Sequence, residues 1–93
     1  MSRIALKGIN PDHEVIVGLD RPLGQWFYQV WDINADSDEP VRCSMDECPP
    51  LQGPSQNTML EFLRDNAAPC ERRDTVVKYV GLDFDPGEAD LPD

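Results

Sequence analysis

The chain has 93 residues, 40% of them apolar, and carries 18 acidic against 8 basic side chains, a formal charge of −10. That supports one modest core, and the acidic excess excludes direct nucleic-acid binding and docking on an anionic membrane, which both need clustered Lys and Arg. No apolar run approaches the ~20 residues of a membrane helix, no apolar leader follows Met1-Ser2-Arg3, and three cysteines without a secretion signal read as reduced thiols of a cytoplasmic protein.

Arg3–Gly8 alternates, with Ile4 and Leu6 on one side and Arg3, Ala5 and Lys7 on the other, as a half-buried strand does. A turn around Pro11 leads into a second strand, Glu14–Asp20, where Val15, Val17 and Leu19 face one way. Glu14, Gly18 and Asp20 face the other, with Ile16 as the apolar exception. Pro22 and Gly24 suit a tight connection. The third strand, Gln25–Asp32, has two apolar faces, Trp26/Tyr28/Val30 and Phe27/Gln29/Trp31. A strand with one wet face alternates more cleanly, so this one is either covered on both sides or offers an aromatic contact surface.

Ile33–Pro40 is an acidic loop, Val41–Met45 is expected to form a short fourth strand, and the prolines of Asp46–Pro54 make it irregular. Ser55–Ala68 is the clearest helix. Ser55, or Thr58 with Glu61, caps it, Pro69 stops it, and Met59, Leu60, Leu63 and Ala67 share a side flanked by Phe62. Glu71–Asp85 fits both periods. A second helix is favoured, capped by Asp74 or Thr75 and ended by Gly81, with Val76, Val77, Val80 and Phe84 on one face. The acidic tail from Pro86 onward is expected to fray. The fold class is therefore α+β: one small domain, an antiparallel meander of three to four strands packed against one or two helices.

Chemistry is sparse. The only histidine, His13, sits in a turn, and no nucleophile elbow, phosphate loop or zincin motif is present. The reading is a non-enzyme without a cofactor. Cys43 and Cys48 have the spacing of half a zinc site, which Cys70 and His13 could complete. Zinc ribbons use two tight pairs, however, so loop and small apolar cysteines are the plainer account. Asp32, Asn34 and Asp36 match the start of a calcium loop, but Ser37 replaces its glycine and Cys43 its bidentate glutamate.

Two expectations of function remain. In the first, the chain is a protein-interaction module that binds a protein partner, or itself as a homodimer, through Phe27, Gln29 and Trp31 or through a sheet edge. In the second, Asp32, Asp36, Asp38, Glu39, Asp46 and Glu47 imitate the phosphates of a nucleic acid toward a basic partner such as a host-defence nuclease complex.

The run Val15–Asp32 (VIVGLDRPLGQWFYQVWD), the acidic loop after it, and the helix start at Pro54, Ser55 and Leu60 resemble a family of short bacterial proteins often encoded near plasmid and integrative-element genes. The resemblance implies a bacterial accessory protein and transfers no catalytic residue. The Cys-Pro-Pro loop and the tail depart from that pattern.

Overall fold

The computed structural model describes residues 3–20, 22–36, 38–48 and 53–88. Ile4–Lys7 (β1), His13–Asp20 (β2), Gln25–Asp32 (β3) and Arg42–Cys43 (β4) form a four-stranded antiparallel sheet in the order β1-β2-β3-β4. Ser44–Glu47 (α1), Gln56–Asn66 (α2) and Glu71–Gly81 (α3) follow, with a 3-10 turn over Pro86–Glu88.

The register follows the hydrophobic alternation. Val17 pairs with Ile4 on one side and Tyr28 on the other, and Val15 pairs with Leu6 and Val30. Each such row puts three apolar side chains on one face, so a slip of one residue would expose them all. Gly24 closes the β2–β3 turn at φ 64°, a left-handed conformation that costs glycine little.

The expected fourth strand over Val41–Met45 is shorter, only Arg42–Cys43. It ends because Ser44 turns into α1, and the Ser44 hydroxyl accepts the Tyr28 backbone N–H at 3.2 Å, the donor a longer strand would have bonded.

Ser55 caps α2 by accepting the Thr58 N–H at 3.2 Å, while Met59, Phe62, Leu63 and Ala67 turn inward. Phe62, expected as a flank, is central: its ring stacks on Tyr28 at 4.0 Å. The ambiguous segment is helical. Its cap is Cys70, whose sulfur accepts the Arg73 N–H at 3.3 Å, rather than Asp74 or Thr75. The helix starts that early because Arg72 and Arg73 tie its first turn to the carbonyls of Ala5 and Ala67.

At the other end of α3, Asp83 adopts φ 58°, Phe84 N–H bonds Tyr79 O at 2.9 Å, and Asp83 N–H bonds Val80 O at 3.0 Å. This Schellman closure turns Phe84 outward to 57% exposure, against the expectation that it shares the buried helical face. Of the tail expected to fray, Pro86–Glu88 form the 3-10 turn, and residues 89–93 lie outside the described residues. Pro86 is fully buried, and its 3-10 turn packs against β2 and α3.

Both long helices lie on the same side of the sheet. Met59, Leu63, Val76 and Val80 are solvent-free and share one cluster with Ile4, Leu6, Val15, Val17, Tyr28 and Val30. Each such side chain contributes about 1.5–3 kcal/mol by leaving water. No helix among the described residues is long and apolar enough to cross a membrane.

Candidate functional site

With α2 and α3 on one face, no helix among the described residues covers the other. Pairing across β1, β2 and β3 sets its rows. Lys7 pairs with Glu14 and Glu14 with Trp31; Ala5 pairs with Ile16 and Ile16 with Gln29; Gly18 pairs with Phe27. Phe27, Gln29 and Trp31 are half-buried. Ile16 is only 3% exposed yet stands outside the main core cluster. The Trp31 indole Nε1–H donates to Gln29 Oε1 at 3.0 Å, two residues along the same face. That bond satisfies the indole donor and fixes both side chains, so the face offers preorganised aromatic surface.

The sheet edges are less available. Beside β1, Gly8 bridges to Ala67, Ala68 N–H donates to Lys7 O at 2.8 Å, and Arg72 reaches Ala5 O. Beside β3, Val41 N–H takes Val30 O at 2.7 Å, and Ser44 takes the Tyr28 donor. These caps blunt the edges against strand addition, so pairing through an edge loses ground to the open face.

On the helix side lies a cleft of about 620 Å³ between β4, α1 and α2. At its wall Tyr28 Oη–H donates to Glu47 Oε1 at 2.7 Å, and Arg42 grips the same carboxylate through Nε at 3.0 Å and Nη2 at 2.8 Å. Arg42 Nη1 also donates to Asn66 Oδ1 at 3.2 Å, and its guanidinium lies 5.6 Å from the Phe62 ring centre. Burial, then the bond to anionic Glu47, push the Tyr28 phenol well above its ordinary value. The bonds from Arg42 hold the Glu47 carboxyl below its ordinary value against the opposing effect of burial, and the bond to Glu47 raises Arg42. All three groups titrate away from neutrality, so the trio suits a staple between β3, β4, α1 and α2 better than proton transfer.

The zinc candidates do not converge. Cys43 is buried beside Gln29, Cys48 borders the cleft, Cys70 caps α3 and His13 opens β2. Among the described residues no group of three or more His, Cys, Asp or Glu is placed to hold a metal. The calcium-like loop is an ordinary turn: Asp32 Oδ1 accepts the Asn34 N–H at 2.9 Å, and Asn34 bonds Asp12. Of the acidic residues considered as phosphate mimics, Asp36, Asp38, Glu39 and Asp46 are exposed and Asp32 is half-buried. Glu47, the sixth of them, is paired with Arg42.

Sequence reasoning missed the role of Arg42 and the placement of Lys7. The five-residue step from Arg42 to Glu47 matches neither a helix nor a strand period, and nothing local shows that Lys7 shares a row with Trp31. The fold is that of a small α+β protein in which, among the described residues, the helical layer is one-sided. Comparison with known protein families, curated proteins and solved structures finds no match for the chain.

Proposed function

We propose that this chain is a non-enzymatic protein-interaction module whose working surface is the sheet face bearing Phe27, Gln29 and Trp31. The observation that supports it is the placement of α3. Had that helix packed on the second face, those aromatics would be core; instead it joins α2, and they stay half-buried. Aromatic side chains on a rigid strand bind at low entropic cost. The resemblance of Val15–Asp32 to proteins of plasmids and integrative elements suggests a bacterial accessory role and directs the search for a partner there.

The test is site-specific photo-cross-linking inside the host cell, with the reactive group at Gln29 and a control at Lys78 on α3. A discrete adduct from position 29 that vanishes with Trp31→Glu is expected. Equal labelling from both positions, or none from 29, refutes the proposal. Binding that persists in Trp31→Glu but collapses above roughly 0.5 M salt would instead favour mimicry by the acidic loop.

A further inference from the structure

We infer that the open face is built to pair with a second copy of this chain, about a two-fold axis running along β2. This rests on the reading of that face as an interaction surface, and names its occupant. The argument comes from the register. Lys7 and Trp31 flank Glu14 in one row, and continuing the β1–β2 pairing outward by one residue puts Arg3 and Phe27 on either side of Gly18 in another. The cations therefore line one side of β2 and the aromatics the other. A two-fold along β2 exchanges those sides, laying Lys7 over the partner's Trp31 and Arg3 over the partner's Phe27, each contact occurring twice. Ile16 and Gly18, buried beneath their neighbours, form the floor of the face on the axis, so the contact is carried by the flanking cations and aromatics. An isologous interface needs this self-complementarity.

Charge points the same way. The chain carries −10 overall, whereas the two cations Arg3 and Lys7 balance the two acids Glu14 and Asp20 on this face. A neutral face does not select a strongly basic partner. Among the described residues neither Arg3 nor Lys7 is held in an ion pair, and both are exposed, so both cations are free to lie over aromatic rings. Aligned sheets cross at about 30°, which shifts the end rows by about 5 Å, within the reach of lysine and arginine. Three strands about 4.8 Å apart and three full rows about 6.8 Å apart, with Asp20 and Gln25 as a partial fourth, offer roughly 350 Å² per copy. The pair thus buries roughly 700 Å², below the range of stable complexes, so the dimer forms and dissociates with concentration.

The experiment is sedimentation velocity of the purified chain from about 5 to 500 µM, at low and moderate salt. Wild type is expected to rise from 10.5 kDa toward twice that mass. Lys7→Ala and Trp31→Ala should each weaken association about tenfold, and the double variant should be no worse than either alone. Glu14→Gln should strengthen association several-fold, since the two Glu14 carboxylates approach each other at the axis; a gain cannot come from misfolding. A monomer throughout, or a dimer indifferent to Lys7, Glu14 and Trp31, overturns the inference. Either result leaves the broader proposal to the Gln29 cross-link, where an adduct of a different protein would still support it.

Discussion

Tyr28→Phe isolates one oxygen. The phenylalanine ring keeps the stack on Phe62, at 4.0 Å and 20° between planes, and loses only the 2.7 Å donation to Glu47. A hydrogen bond to a charged group is worth about 1.5–3 kcal/mol when buried. Here the Glu47 side chain is 34% exposed and keeps its bonds to Arg42, so water and the guanidinium replace part of the loss. The expected cost is about 1 kcal/mol, or about 4–8 °C in Tm for a domain of this size.

The assay is urea unfolding of wild type, Tyr28→Phe, Glu47→Ala and the double variant, with a coupling energy near 1 kcal/mol at pH 7. The pH dependence has a definite sign. The folded state depresses the Glu47 pKa, so its contribution is present above the unfolded value of 4.5 and is lost as pH falls through the lower folded value. A coupling under about 0.3 kcal/mol at pH 7, or one unchanged by acid, would refute this account of the staple.

Alkali tests the same tyrosine from the other side. Its folded pKa lies above the ordinary 10.0, so wild type should lose stability as pH climbs past 10.0, and Tyr28→Phe should lose less in the same titration. Gly53→Ala and Gly24→Ala form a matched pair, both at positive φ. A Cβ at Gly24 meets nothing within 4 Å, whereas one at Gly53 would sit 2.9 Å from the Trp26 carbonyl oxygen. Chemical denaturation should show about 1 kcal/mol lost at Gly24 and at least about 1 kcal/mol more at Gly53. Asp83→Gly should stabilise by about 0.5–1 kcal/mol, because glycine accepts the φ of 58° without strain; an unchanged unfolding midpoint would contradict it. Met59→Ala, emptying a solvent-free position, should cost about 2–5 kcal/mol in the same assay.

The sequence by itself determined what depends on near neighbours. Alternation in Ile4–Lys7, His13–Asp20 and Gln25–Asp32 specified three strands and the inner set Val15, Val17, Trp26, Tyr28 and Val30. Ser55 announced α2 because its hydroxyl meets a donor only three residues on. Tertiary structure decided what depends on distant partners. Val76 and Val80 would be buried against either face of the sheet, and only the link through Ala67 and Ala68, bonded to Gly8 and Lys7 at the β1 edge, puts α3 beside α2. The same holds for Arg42 and Glu47, which meet Tyr28 across strands, for Cys70 as a cap, and for the burial of Pro86. Phe27, Gln29 and Trp31 were visible from the start as the apolar second side of β3. Their row-mates Lys7, Glu14 and Gly18 became meaningful only through register, because pairing across a sheet joins residues that no local period connects.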